Sequence, residues 1–95
     1  MRLIISALAS DDLSAIAEFG TERWGEDAAR NYARTIHSKL AQLTNYPNMG
    51  MADEHHPGFR RLITGSHIAF YELRDDVILI VRVLHGSQEF ERHLP

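Results

Sequence analysis

The side chains best suited to chemistry lie near the end of the chain, in RVLHGSQEFERHLP, where an apolar run closes on Arg82 and His85. Imidazole titrates near neutrality, and guanidinium presents a rigid fork of donors to phosphate or carboxylate oxygens. A histidine just past a strand end, with an arginine beside it, is therefore a place for acid–base chemistry or anion binding. Arg60 and Tyr71 join them if the strands pair as expected below. Glu54-His55-His56 has the residue types of a metal site. Adjacent histidines on a loop rarely converge on one ion, and no partner ligand is near in sequence, so no metal or other cofactor is expected.

These residues must be positioned by a small set of elements. Arg2 to Ala7 reads as a first strand. Ser10 stands where a helix N-cap belongs, with Asp11 and Asp12 in the first turn near the positive end of the helix dipole. Leu13, Ile16, Ala17, Gly20 and Trp24 form one helical face, and Gly25 ends that helix. Glu26 and Asp27 open a second helix with an apolar stripe of Ala29, Tyr32, Ala33, Ile36, Leu40 and Leu43. Asn45-Tyr46-Pro47 stops it. With only Gly25 between them, the helices should form an antiparallel hairpin. Residues 47–58, rich in Pro and Gly, read as a loop. Three strands follow, Phe59 to Thr64, His67 to Leu73 and Val77 to Leu84, joined by two-residue turns at Gly65-Ser66 and Asp75-Asp76. Ser87 to Leu94 reads as a short C-terminal helical tail.

The expected fold is α+β in the order β-α-α-β-β-β, one domain over residues 1–95. A helical hairpin packs on one face of a small, mainly antiparallel sheet. The two turns set a register: Thr64 faces His67, Leu62 faces Ala69, Arg60 faces Tyr71, Tyr71 faces Ile80 and Ala69 faces Arg82. Alternation then puts Arg60, Leu62, Ala69, Tyr71, Leu73, Ile80 and Arg82 on one face. Arg61, Ile63, Ile68, Phe70, Glu72, Leu79, Val81 and Val83 share the other. The second set is more apolar and is expected under the helices, with Arg61 and Glu72 as a diagonal ion pair. The first face would be open, with two arginines around a tyrosine. Trp24, Tyr32 and Tyr46 are expected in the core or at its rim.

Composition narrows the function classes. The 95 residues include no cysteine, which excludes disulfides and thiolate zinc sites and fits a reducing cytoplasm. The N-terminal apolar stretch runs only from Leu3 to Leu8 and meets acids at once, so it is read as a strand and not a signal peptide. No apolar run approaches the roughly 20 residues that span a bilayer. The formal charge of −3 is uneven: residues 1–58 hold five Lys/Arg and eight Asp/Glu, residues 59–95 five of each. Neither part has the basic excess of a general nucleic-acid binder.

The first strand leading into ASDDLSAIAEFGTERWG, the stretch GFRRLITGSHIAFYEL and the segment DDVILIVRVLHGSQEFERHL together resemble the ParE-type toxins of the RelE/ParE toxin–antitoxin superfamily. The resemblance covers essentially the whole chain, and it rests on the order and spacing of these stretches. It implies a small ParD-like antitoxin partner whose C-terminal segment wraps the toxin in a hetero-oligomer. It also implies a target, either DNA gyrase in the ParE branch or ribosome-bound mRNA in the RelE branch.

The two branches differ in chemistry. Cutting RNA through its 2′-hydroxyl needs a base, an acid for the leaving oxygen and cations for the phosphorane. The RelE-type branch supplies these with Lys/Arg clusters, a glutamate in some members and a Tyr or His–Tyr pair near the C-terminus. Here Arg60 or Arg61, Arg82 and His85 match such positions. The chain departs from that pattern with a single lysine, Lys39, and with Gly86-Ser87-Gln88 instead of a tyrosine after His85. A gyrase poison that binds and does no chemistry is the expected function. Arg60, Tyr71, Arg82 and His85 are expected as target-binding residues. Met49 and Met51 on the loop are expected under the antitoxin, whose toxin-binding segment should be basic to match the acidic residues 1–58.

Overall fold

The computed structural model describes residues 1–88. Seven elements follow in order: β1 (Arg2–Ile5), α1 (Ala7–Trp24), α2 (Glu26–Gln42), β2 (Met51–Ala52), β3 (Phe59–Thr64), β4 (His67–Arg74) and β5 (Val77–His85). The five strands form one sheet in the order β1-β5-β4-β3-β2. Every neighbouring pair is antiparallel except β1 with β5. The helical hairpin lies on one face. The expected α+β arrangement is what the chain adopts, with β2 as an additional short strand inside the stretch read as a loop. The helical tail expected over Ser87–Leu94 falls mostly outside the described residues.

β1 stops two residues earlier than its apolar run suggests, because Ser6 and not Ser10 is the N-cap. Its Oγ accepts from the Ala9 N–H at 3.0 Å and donates to the Val81 carbonyl at 2.8 Å. Ser10 and Asp12 are thereby carried into the body of α1. The two helices meet closely where Gly20 and Ala29 are buried against each other. The α2 stripe is buried as its spacing predicts, at Ala29, Ile36, Leu40 and Leu43. Trp24, at the end of the α1 stripe, is instead 54% exposed.

The register across Gly65-Ser66 is as the turn dictates, from Thr64↔His67 to Arg60↔Tyr71. Between β4 and β5 it holds from Arg74↔Val77 to Tyr71↔Ile80, and then a bulge intervenes. Phe70 pairs with Arg82 and Ala69 with Val83, so Val81 is the extra residue and the expected Ala69–Arg82 pair does not form.

The two faces of the sheet are the reverse of the expectation. Leu62, Ala69, Tyr71 and Ile80 share one core cluster with Ile36, Leu40 and Leu43 of the helical layer, with Leu73 packed against it. Val83 joins the same cluster and so keeps its expected place under the helices, because the bulge shifts its phase. Phe70 and Leu84, with Phe59 and Ile68, form a second cluster on the other side. The expected Arg61–Glu72 pair is not what holds Glu72, whose carboxylate meets Arg74 at 2.9 Å.

β1 has four residues and β5 nine, so β1 covers the outer edge of β5 only as far as Ile80. Side chains of α1 complete that edge. After Ser6 takes the Val81 carbonyl, Asp12 accepts the Val83 N–H at 2.9 Å. Its carboxylate also receives the Arg82 guanidinium through two bonds, Nε to Oδ2 at 2.8 Å and Nη2 to Oδ1 at 2.7 Å. The pair is 15% and 14% exposed, and hydrogen bonding to Asp12 raises the Arg82 pKa further above its usual high value. Removing one partner of a shielded pair strands the other charge. Asp12→Ala is expected to lower unfolding stability by about 2–3 kcal/mol in chemical denaturation.

Candidate functional site

Tyr71 is fully buried, and its hydroxyl is the anchor of the stretch between α2 and β2. It donates to the Pro47 carbonyl at 2.8 Å and accepts the Gly50 N–H at 3.0 Å. Arg60 lies beside it, with Nε 3.4 Å from the same hydroxyl and Nη2 donating to the carbonyls of Asn48 and Gly50. The loop can close this tightly only because residue 50 has no side chain. A Cβ there would stand 2.5 Å from the Arg61 carbonyl oxygen and 2.7 Å from the Tyr71 hydroxyl. Arg60 and Tyr71 therefore hold a loop on the helix-covered side, and Arg82 is engaged by Asp12. The three side chains expected together on one open face are therefore held in two separate places.

His85 is where the sequence places it, exposed at the end of β5. The bulge brings His67 directly opposite it. The two rings lie 5.5 Å apart at 89°, and His67 in turn lies 5.6 Å from Tyr32. Tyr32 continues to Trp24 at 5.9 Å and Trp24 to Phe19 at 6.3 Å, both edge to face. Ala15, Ile16, Phe19, Trp24, Ser66, His67 and His85 line a cavity of about 360 Å³. Its walls come from α1, the end of the hairpin and the β3–β4 turn. Phe19 is 52% exposed at its rim, with the Arg23 guanidinium 4.9 Å above its ring.

The polar contacts of this cavity are well defined. The Tyr32 hydroxyl lies 2.6 Å from His67 Nδ1 and accepts the Ser66 N–H at 3.0 Å. Gly65 makes this possible: at φ +60 it turns the chain over Tyr32, and a Cβ would sit 2.6 Å from the ring. His85 Nδ1 lies 2.8 Å from Ser87 Oγ and 3.2 Å from the Ser87 N–H, and Gln88 Oε1 takes the His85 N–H at 2.7 Å. Burial, and then the charge of His85, holds the His67 imidazole below its ordinary pKa of 6.5.

At the other end of the sheet, Met51 is 62% exposed and Tyr46 and Met49 line an open groove with Pro47 and Asn48. Glu54-His55-His56 is organised around Asp53, which accepts from the His55 N–H and lies 3.1 Å from His56 Nδ1. Burial would raise the Asp53 pKa, but these bonds and the charges of His56 and Arg61 outweigh it and lower it. Among the described residues, no three His, Asp or Glu side chains are grouped to hold an ion.

Known proteins resemble this chain in sequence as well as in shape. The family model for the ParE toxin of type II toxin–antitoxin systems (parDE) matches residues 3–90. The chain belongs to the ParE toxin family.

Among its relatives, a ParE1 toxin of Caulobacter vibrioides is 37% identical over 91 residues, covering 95% of this chain and 94% of that one. A ParE1 toxin of Mycobacterium tuberculosis is 36% identical over 95 residues, covering 98% and 97%. A solved structure described as a chromosomal ParDE TA system from P. aeruginosa shares the fold, with a TM-score of 0.80 over 90% of this chain and 95% of that chain at 24% identity.

Within this ParE fold, the sequence-expected residues separate into distinct places. Arg60 and Tyr71 bind the 47–50 loop, Arg82 binds α1, His85 borders the aromatic cavity, and Met49 and Met51 lie by the loop. Phe19, Trp24, Tyr32 and His67 were not expected to form a site, because periodicity assigned Trp24 and Tyr32 to the core. Tyr32 meets His67 through the Gly65 turn, and His85 joins them through the bulge, which no residue type announces.

Two outcomes follow. Tyr71→Phe leaves the Gly50 N–H and the Arg60 guanidinium short of an acceptor. It is expected to cost about 1–3 kcal/mol in denaturation and to speed amide exchange over residues 48–51. For His67, both folded and unfolded chains are neutral above 6.5, so the residue leaves stability flat there. Below 6.5 the unfolded chain takes up a proton that the folded chain resists, and stability falls until the lower folded pKa is passed. His67→Phe is expected to make the loss of stability below pH 6.5 shallower, read from denaturation midpoints across a pH series.

Proposed function

We propose that the chain is the toxin of a ParDE-type pair: it binds DNA gyrase, traps cleaved DNA complexes without chemistry of its own, and is neutralised by a ParD-like antitoxin. The family match supports the toxin role, and the relatives' names point the same way. One observation favours binding over RNA cleavage. Two of the arginines at positions that could stabilise a phosphorane are engaged in the scaffold, Arg60 on the loop carbonyls and Arg82 on Asp12, and the third candidate, Arg61, acts on Asp53 through its charge. Arg82 could reach a developing phosphate charge only by giving up both of its bonds to Asp12 and leaving that carboxylate without its cation.

The antitoxin contact in this reading includes Met49 and Met51, exposed next to Tyr46, and a basic stretch that meets the acidic N-terminal part of the chain. Flexible thioether side chains suit a surface that must adapt to a folding partner segment. His85, exposed at the strand end, is the sequence-expected target contact that remains accessible.

The deciding experiment is a gyrase cleavage assay with purified protein, supercoiled plasmid and ATP. Linear, cleaved plasmid should accumulate with toxin and disappear when the antitoxin is added first. Gyrase activity that stays unchanged, with mRNA cut in a translation extract, would overturn the reading in favour of a RelE-like nuclease.

A further inference from the structure

The His67–His85 pair has a geometry that neither the core nor the proposed function needs. The two residues are directly opposed on neighbouring antiparallel strands, where Cβ atoms lie about 4.5–5.5 Å apart. Both rings line one cavity. Each ring also has its Nδ1 turned to its own support, Tyr32 for His67 and Ser87 for His85. Among the described residues, the nitrogen left over on each ring is Nε2.

We propose that His67 and His85 together form a two-imidazole site, at the mouth of the aromatic cavity, for a divalent transition-metal ion of the zinc and copper class.

Two imidazoles bound to one ion through nitrogens at about 2.0–2.1 Å, with a near-tetrahedral angle between them, hold their ring centres roughly 5–5.5 Å apart. The observed separation is 5.5 Å. Metal-bound histidines characteristically donate their second ring N–H to an oxygen, which fixes the tautomer and the ring orientation. Both oxygens are in place. His67 Nδ1–H would donate to the Tyr32 hydroxyl at 2.6 Å, which then points its own proton at the Thr64 carbonyl, 3.4 Å away. His85 Nδ1–H would donate to Ser87 Oγ at 2.8 Å, replacing the Ser87 N–H approach to that nitrogen. Burial keeps His67 in the neutral form that a metal requires. The remaining coordination positions belong to water or to a ligand brought by a partner. Imidazole nitrogen selects Zn²⁺, Cu²⁺ or Ni²⁺ over Mg²⁺ and Ca²⁺, which prefer oxygen.

The test is a titration of the untagged full-length chain with Zn²⁺, followed by calorimetry and by NMR of the histidine rings. One equivalent should bind, with the signals of His67 and His85 moving together, Cu²⁺ binding tighter than Zn²⁺ and Mg²⁺ giving no response. His85→Ala, at an exposed position, should weaken Zn²⁺ binding at least about tenfold without loss of fold. Tyr32→Phe should weaken it less while keeping the one-to-one ratio. The double variant His55→Ala/His56→Ala should bind as the parent does. Absence of saturable one-to-one binding, binding indifferent to His85→Ala, or binding abolished by the His55/His56 variant would each overturn the assignment.

Discussion

The structure depends on how the outer edge of β5 is finished. A strand edge exposes a row of N–H and C=O groups, and a short parallel neighbour satisfies only part of it. Past Ile80 the edge of β5 is met by Ser6 and Asp12, both from α1 or its cap. The consequence is a mutual constraint. α1 must begin at Ala7 for Ser6 to reach Val81, and one and a half turns later the helix must present Asp12 to Val83 and Arg82. Helix and strand therefore fix each other's position along their length, which apolar contact alone does not do.

The bulge belongs to the same arrangement. It begins where β1 runs out, and it shifts the remainder of β5 by one residue against β4. That shift turns Val83 toward the helices and sets His85 against His67. Tyr32 reaches up from α2 under the Gly65 turn to support His67, and Phe19 and Trp24 close the cavity from α1. The cavity thus combines a helix terminus, a hairpin turn and a strand end, each positioned by a different local rule.

Much of the fold was legible in the sequence, and the failures have separate causes. Turn residues fixed the β3–β4 register and the first half of β4–β5, because a two-residue turn leaves no choice of pairing. The bulge was hidden, since VILIVRVL is apolar in both phases apart from Arg82. The faces came out reversed because apolar counting weighs Arg60 and Tyr71 as solvent-facing. The folded chain instead supplies Arg60 and the Tyr71 hydroxyl with backbone partners from residues 47–50. A loop that folds under a sheet edge to accept hydrogen bonds leaves no periodic trace. Ser6 and Ser10 are both acceptable N-caps, and the choice rests on the distant Val81 carbonyl. For the site, His85 was visible from its position at a strand end, whereas His67 becomes its partner only through the shifted register.

The anchoring of the 47–50 loop on Tyr71 has a mechanical consequence. The phenol ring is packed among Leu62, Ala69 and Ile80, while its hydroxyl grips the backbone that carries Met49 and leads into Met51. Load applied to those methionines is not absorbed by slack chain. It passes through one hydroxyl into the middle of β4, so whatever seizes this corner of the molecule pulls directly on its core.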